Sequence, residues 1–311
     1  MKRRERATVL VILVMIIIMA AKITREEGLP SIKPTERLQE IIDKAPEGAI
    51  IMLDKGVYYG PLILEKDITL IGKGEERTLI STFKEPAILI VRAEVRIENL
   101  TIAGIQCPRC RGVVVNNAKV IMKDVTVRDF AERGILSLNR SSLILHDVKI
   151  VNSSWPLSVW SSEINGANLR ISDGFFCMSI RGFNFQHEIL GLVIERCELG
   201  IEVLGGLVLK IHKALIRKCG TGISAWGNTI TKLYNVSIRD NIRNGIVLYQ
   251  NASIALFNSE VVRNGNYGIV LAVKECNFAG KYFYGARENV AISETLIKDN
   301  KRGDICPKLS Y

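Results

Sequence analysis

The strongest constraint on the fold is a short motif that recurs about every 22 residues through the centre of the chain. Each copy continues into alternating apolar residues, and the copies begin at Gly112, Gly134, Pro156, Cys177, Gly200, Gly222, Gly245 and Gly268. The intervals are 22, 22, 21, 23, 22, 23 and 23 residues. A fixed period of this length indicates a stacked solenoid in which each unit buries its apolar face against its neighbours.

Each repeat contains three short strands separated by turns. Segments such as residues 124–127 and 147–150 alternate apolar with polar residues and are rich in β-branched side chains, which is typical of strands. Three strands per repeat predict an all-β fold, a single-stranded right-handed parallel β-helix of roughly ten to eleven coils. The L-x-x-L-x-L frame of leucine-rich repeats is missing from the sequence, which excludes that solenoid class.

One polar position of the repeat is occupied by Asn or Asp in most coils. Its members are Asn99, Asp124, Asp147, Asn168, Asn235 and Asn258. These side chains bond to nearby backbone and tolerate left-handed conformations, so we interpret the column as a structural corner of the coil.

The N-terminal region differs from the repeats. Residues 1–21 combine a basic start with an apolar run, which indicates either a cleaved signal peptide or an uncleaved membrane anchor with a cytoplasmic N-terminus. Both interpretations place the β-helix domain, residues 35–311, outside the cytoplasm or at the cell surface. Residues 22–34 are interpreted as a linker, and residues 35–45 as a short helix that caps the solenoid.

The first coils resemble a known family. Residues 49–59, 62–64 and 66–74 are similar to the opening coils of pectin-lyase-like proteins. That superfamily includes polysaccharide lyases, glycoside hydrolases, esterases and epimerases, and also non-enzymatic accessory proteins of the NosD type. The resemblance implies the fold and leaves enzymatic activity open, because the catalytic motifs of these families are missing. Gly60, for instance, stands where pectin methylesterases usually have Glu.

Aromatic residues recur on the outward side of the strand that opens each repeat. The outward residues that we expect to bind substrate are Trp155, Trp160, Arg181, Trp226, Tyr249 and Tyr267. Large apolar groups on a solvent-facing sheet mark a binding surface, and flat rings suit a polysaccharide chain lying along the sheet. A self-packed aromatic patch and a protein interface remain alternatives. Residues 274–289 form the one long insertion, and they leave from the same sheet.

Three residues are candidates for catalysis should the protein be an enzyme. Glu202 lies in the middle of the outward surface, and Arg181 and Asp173 complete the set. The expected activities are those of a divergent polysaccharide lyase, hydrolase or epimerase, and a non-enzymatic scaffold or a metallo-accessory protein of the NosD type is the further alternative. No cofactor or metal site is predicted, and His146, His187 and His212 are interpreted as surface residues at corners or turns, with copper or zinc binding as the alternative.

Charge and cysteines bear on partners and compartment. The net charge is +10, of which the leader supplies +3 (four basic residues and one acidic), which leaves +7 on the exported part. A basic surface favours anionic polymers or membranes as partners, and no nucleic-acid-binding motif is present.

Seven cysteines in an exported chain predict disulfides. The candidate pairs are Cys197 with Cys219, Cys107 with Cys110, and Cys276 with Cys306. The Lys-, Arg-, Glu- and Ile-rich composition also suggests a thermophile.

Overall fold

The computed structural model describes residues 31–35, 37–83, 85–104, 109–278, 282–285 and 287–308. The predicted leader and most of the predicted linker lie outside these residues. In the described part of the chain, no helix is both long and apolar enough to cross a membrane.

Nearly all of the regular structure is strand. In chain order the strands are β1 (Ser31–Ile32), β2 (Ala49–Leu53), β3 (Gly56–Tyr59), β4 (Leu62–Leu64), β5 (Ile68–Ile71), β6 (Thr78–Thr82), β7 (Ile88–Val91), β8 (Glu94–Gly104), β9 (Arg111–Asn116), β10 (Lys119–Arg128), β11 (Arg133–Leu138), β12 (Ser142–Val151), β13 (Trp155–Trp160), β14 (Glu163–Arg217), β15 (Thr221–Gly227), β16 (Ile230–Arg239), β17 (Ile246–Leu248), β18 (Ser253–Phe257), β19 (Glu260–Val262), β20 (Tyr267–Leu271), β21 (Val290–Ser293), β22 (Leu296–Lys298) and β23 (Gly303–Cys306). The 55 residues of β14 exceed two repeats, so its strand structure continues around the corners of successive coils.

The strands stack in parallel into three sheets, and this confirms the predicted right-handed parallel β-helix. Sheet A contains β1, β2, β5, β18, β21 and the first halves of β8, β10, β12 and β16. Sheet B contains β3, β6, β19, β22 and the second halves of those long strands. Sheet C contains the strands that open the repeats, namely β4, β7, β9, β11, β13, β15, β17, β20 and β23, and β14 contributes to all three sheets.

The core is a set of columns of aliphatic side chains running along the stack. One column of sheet C consists of Val113, Ile135, Leu157, Met178, Ile201, Ile223, Ile246 and Ile269, all fully buried. The neighbouring side chains on each strand point outward because successive residues of a strand face opposite sides. The 22-residue period therefore fixes which residues of sheet C reach the surface.

The predicted corner column is confirmed. Asn99, Asp124, Asp147, Asn168, Asn235 and Asn258 all have positive φ, between 47° and 55°. The Asn168 side-chain amide donates a hydrogen bond to Asp147 Oδ1 at 3.0 Å, and the Asn258 amide donates to Asn235 in the same way. These residues therefore turn the chain and bond one coil to the next, as a structural role requires.

The N-terminal end is closed by a helix, α1, which spans Leu38–Lys44 and is shorter than the predicted 35–45. Leu38 and Ile42 are buried against the first coil. The Gln39 side chain exchanges two hydrogen bonds with the Ile63 backbone, at 2.8 and 3.1 Å, which satisfies one exposed strand edge. Ser31–Ile32 pairs in parallel with Met52–Leu53. The last residues of the segment predicted to be a linker therefore include a short strand that joins the first coil.

The disulfides correct one prediction. Cys197 is bonded to Cys177, with Cα atoms 5.9 Å apart, and Cys219 is a buried free thiol. Stacking places Cys197 and Cys219 at equivalent positions, where parallel Cα–Cβ bonds hold the Cβ atoms about 4.8 Å apart, whereas a disulfide needs converging Cβ atoms. The Cys276–Cys306 pair is confirmed, with a Cα distance of 5.8 Å. Cys110 is buried and disulfide-bonded, while its predicted partner Cys107 lies outside the described residues.

Candidate functional site

The outer face of sheet C brings several of the predicted substrate-binding residues into one column. Trp160 pairs in register with Arg181, and Leu204 pairs with Trp226. The Tyr249 backbone N–H donates to the carbonyl of Ala225, which places its ring directly after Trp226. The column divides into two halves with different surroundings.

A groove of about 550 Å³ occupies the half nearer the C-terminus. Its lining residues are Phe175, Phe176, Glu198, Leu199, Glu202, Leu204, Thr221, Ser224, Trp226, Arg243, Asn244, Val247, Tyr249 and Phe278. Phe176 belongs to β14 and Phe278 to the insertion, so aromatic rings bound both ends of the groove along the stack. The insertion therefore contributes to the same surface as the repeats, as its position in the sequence predicts.

Two stacked aromatic rings form one side of the groove. Trp226 and Tyr249 lie face to face, with ring centroids 3.6 Å apart and planes 6° from parallel. The indole N–H of Trp226 donates to Ser224 Oγ at 2.9 Å, and Phe278 meets Tyr249 edge-on at 5.8 Å. Burial raises the pKa of the Tyr249 phenol, with Tyr282 as a smaller contributor. This cluster offers the groove a rigid apolar wall with hydroxyl groups beside it.

Glu202 and Arg181 are in direct contact. Glu202 is 8% exposed, and its Oε2 accepts hydrogen bonds from Arg181 Nε at 2.9 Å, Arg181 Nη2 at 2.7 Å and Ser179 Oγ at 2.7 Å. Its Oε1 has no hydrogen-bond partner among the described residues. One carboxylate oxygen is thus held by the protein, and the other remains available to a ligand in the groove.

The other half of the column is packed against itself. The Arg133 guanidinium lies 4.8 Å from the ring centroid of Trp155 and 4.3 Å from that of Trp160, and Arg181 lies 5.4 and 5.2 Å from the same rings. Burial lowers the pKa of Arg133, and nearby Arg181 lowers it further. These contacts are cation–π interactions. Trp155 and Trp160 are therefore not free platforms, and the alternative of a self-packed patch describes this half.

Two predicted site residues lie elsewhere. Asp173 sits at a corner of the coil, where its carboxylate accepts two hydrogen bonds from Arg196 at 2.7 and 2.9 Å, and this pairing holds its pKa below the usual value. It lines no part of the groove, so the predicted set of Glu202, Arg181 and Asp173 is not one cluster. Tyr267 packs beside the Cys276–Cys306 disulfide and is also outside the groove lining.

The sequence prediction missed the charged pair that borders the groove. Arg243 Nη2 donates a hydrogen bond to Glu198 Oε1 across two coils. Gly220 occupies the same position in the intervening coil, and a Cβ there would lie 2.6 Å from Arg243 Nη2. The sequence does contain a signal for this pair. Glu198 and Arg243 stand two residues before Gly200 and Gly245, and the equivalent residue of the coil between them is Gly220.

The prediction that the three histidines are surface residues is wrong for one of them. His187 is not a surface residue, because it belongs to β14 and is 2% exposed. Its polar neighbours Gln186 and Glu188 suggest a turn, but they are the outward residues of a strand in which His187 points inward. His212 lies on sheet A and stacks on Tyr234 at 4.6 Å. Among the described residues, no group of three or more His, Cys, Asp or Glu side chains could hold a metal ion.

A second recess, of about 590 Å³, lies on sheet B. Its rim mixes the cations Lys149, Arg170 and Lys213 with carboxylates such as Glu75, which accepts a hydrogen bond from Lys149 at 2.8 Å. No aromatic side chain lines it. The groove on sheet C is the better candidate site because it combines an aromatic wall with a partly buried carboxylate.

Comparison with known proteins supports the fold. A family model described as a right-handed β-helix region matches residues 95–306. No curated protein sequence matches the chain significantly. Among solved structures, the A-module of mannuronan C-5 epimerase AlgE4 from Azotobacter vinelandii has a TM-score of 0.58 at 16% identity, covering 88% of this chain and 92% of that one.

Two further structures show the same likeness. The enzymatically active domain of tailspike protein 2 from bacteriophage CBA120 has a TM-score of 0.59 at 11% identity, covering 91% of this chain and 52% of that one. Pectate lyase Pel9A has a TM-score of 0.51 at 11% identity, covering 91% of this chain and 82% of that one. At these identities the likeness concerns the fold.

Proposed function

Because the chain belongs to the right-handed β-helix family, whose architecture serves many functions, its role has to be argued from its surface, and we propose that the groove on sheet C binds a carbohydrate chain. The observation that carries the proposal is the Trp226–Tyr249 stack beside the free Oε1 of Glu202. Sugars present C–H groups to aromatic surfaces and hydroxyl groups to polar ones, and this groove offers both.

The similar structures are consistent with this class of ligand. Mannuronan C-5 epimerase and pectate lyase are named as enzymes that act on polysaccharides. The sites themselves are not transferred to this chain, because the identities are 16% and 11%. The glycan proposal therefore depends on the geometry of the groove.

Binding without turnover is the first candidate, and an enzyme is the second. Glycoside hydrolysis generally requires two carboxylates on one surface, and both Glu198 and Glu202 line the groove. Each is already paired with an arginine, Arg243 or Arg181, which favours a fixed binding surface over a pair of proton-transfer groups. Glu202→Gln separates the two candidates, since it abolishes turnover and spares binding only if Glu202 is catalytic.

The test of the proposal is affinity gel electrophoresis of the full chain through gels containing neutral or acidic polysaccharides. We expect one polymer class to retard the protein, and we expect Trp226→Ala and Tyr249→Ala to remove the retardation. Tyr234→Ala is the matched control, because Tyr234 also belongs to an aromatic stack, at 4.6 Å from His212, but lies on sheet A. No retardation by any polymer, or equal loss in the control, would shift the assignment to a scaffold of the NosD type.

We also propose that the folded domain lies outside the cytoplasm. Two disulfides, Cys177–Cys197 and Cys276–Cys306, support an oxidising compartment. Cell fractionation with mass analysis of the N-terminus tests this, because a cleaved leader gives a shortened soluble form and an anchor gives an intact chain in the membrane fraction. Recovery of the intact chain in the cytoplasm with reduced cysteines would contradict the proposal.

A further inference from the structure

The charges of the groove are balanced internally. Its lining contains three ionisable side chains of clear charge, namely Glu198, Glu202 and Arg243. The Arg243 guanidinium is bonded to Glu198, and Glu202 is bonded to Arg181, which itself lies outside the lining. Among the described residues, therefore, no cation faces the groove without a carboxylate already bound to it.

We propose that the carbohydrate bound in this groove is uncharged, a neutral glycan rather than a uronate or sulfated polymer. The inference rests on the proposed glycan-binding function and specifies the substrate class of the same site. An acidic sugar would bring its anionic group beside two carboxylates whose arginines are already engaged. An anion that leaves water loses its hydration, and it needs a cation of its own to offset that loss, whereas both arginines here are already bonded to carboxylates.

The same groups suit hydroxyl groups well. The free Oε1 of Glu202 can accept a hydrogen bond from a sugar hydroxyl, and a bond to an ionised acceptor is stronger than one between neutral groups. Ser224 Oγ, which accepts from the Trp226 indole, retains its own hydrogen for a sugar oxygen. A neutral sugar stacked near Trp226 thus finds an acceptor and a donor on the floor of the groove.

The rest of the protein complicates a simple binding assay. Its net charge of +10 attracts any polyanion without specificity. Such attraction is screened by salt, whereas a hydrogen-bonded, aromatic contact with a neutral sugar is affected little. Salt dependence combined with a groove variant therefore distinguishes binding in the groove from attraction to the surface.

The experiment compares retardation of the full chain in gels of galactomannan, glucomannan and mixed-linkage glucan with gels of alginate and polygalacturonate. Each gel is run at low salt and at about 0.3 M salt, where the screening length is about 6 Å. We expect at least one neutral polymer to bind equally at both salt levels, with at least a tenfold loss in Trp226→Ala. We expect retardation by the acidic polymers to vanish at the higher salt and to be unchanged by Trp226→Ala.

The outcomes separate the two proposals. Salt-resistant binding of an acidic polymer that is lost in Trp226→Ala would overturn the neutral-glycan inference and leave the glycan-binding function standing. Absence of any Trp226-dependent binding would overturn both. Glu202→Gln provides a second readout, because we expect it to weaken neutral-glycan binding about tenfold, whereas a groove for acidic sugars would bind more tightly once that charge is removed.

Discussion

The imidazole of His187 is buried in the core of the solenoid, where its Nδ1 accepts a hydrogen bond from the backbone N–H of Ile164 at 3.4 Å. Its Nε2 is buried without a hydrogen-bond partner among the described residues. This tautomer is neutral, with the proton on Nε2. Burial lowers the pKa of His187 from 6.5 to about 4.

A dependence of stability on pH follows from this burial. Since the folded pKa is below the unfolded one, the unfolded chain binds the extra proton, and stability falls as pH drops from about 6.5 to about 4. The full loss for a shift of this size is about 3 kcal/mol. We expect His187→Leu to flatten this part of the pH profile, measured by urea unfolding at several pH values. His146→Leu, at an exposed site, should leave the slope of the profile unchanged. A slope in His187→Leu equal to that of the unsubstituted protein would contradict the assignment.

The free thiol predicts a specific labelling pattern. Burial raises the pKa of Cys219 to about 11, so almost no thiolate exists at neutral pH. We expect no alkylation of Cys219 in the native protein and rapid alkylation after unfolding without a reductant. Peptide mapping then identifies the labelled residue. Labelling at Cys177 instead would show that Cys197 is paired with Cys219, as register alone suggests.

The free thiol of Cys219 also shows which features of the structure the sequence can predict. The repeat predicts the stacking, the corner residues and the outward column with Trp226 and Tyr249, because all of these depend on the period. The choice of Cys177 as the partner of Cys197 depends on the direction of Cβ atoms at a corner, which the period does not specify. His187 was missed because its neighbours Asn184, Gln186 and Glu188 are also polar, which hides the alternation of the strand.

The groove was predicted only in part for a similar reason. Trp226 and Glu202 follow from alternation within a strand, whereas Glu198 and Arg243 meet across a corner and across two coils. The covering of Trp155 and Trp160 by guanidinium groups depends on the side-chain conformations of Arg133 and Arg181. Such contacts are tertiary, and a single sequence does not determine them.

The insertion is expected to limit the groove and stiffen it. Phe278 contacts the ring of Tyr249, and the nearby Cys276–Cys306 disulfide ties the insertion to β23. We expect Phe278→Ala, and the double variant Cys276→Ser/Cys306→Ser, to weaken glycan binding about tenfold because the wall is lost or must be ordered on binding. Affinity electrophoresis measures the effect. Tyr284→Ala is the control, since Tyr284 belongs to the insertion, is 65% exposed and does not line the groove; equal weakening in the control would contradict this role.

The Arg181–Glu202 pair should be coupled more strongly than a surface pair. Arg181→Met leaves a largely buried carboxylate without its two guanidinium hydrogen bonds, and we expect a loss of about 2 kcal/mol, below the range for fully buried pairs because Arg181 is 32% exposed. In Glu202→Gln the group left unpaired is the more accessible guanidinium of Arg181, so we expect the free energy of unfolding to fall by only about 1 kcal/mol. The double variant should lose less stability than the sum of the two single losses, by about 1 kcal/mol, because either single change already breaks the pair.

The exposed Arg37–Glu40 pair provides the matched double-mutant cycle, with an expected coupling energy below about 0.5 kcal/mol. Urea unfolding gives all of these free energies, and additive losses at Arg181 and Glu202 would mean that the carboxylate is stabilised by water in the groove rather than by the guanidinium.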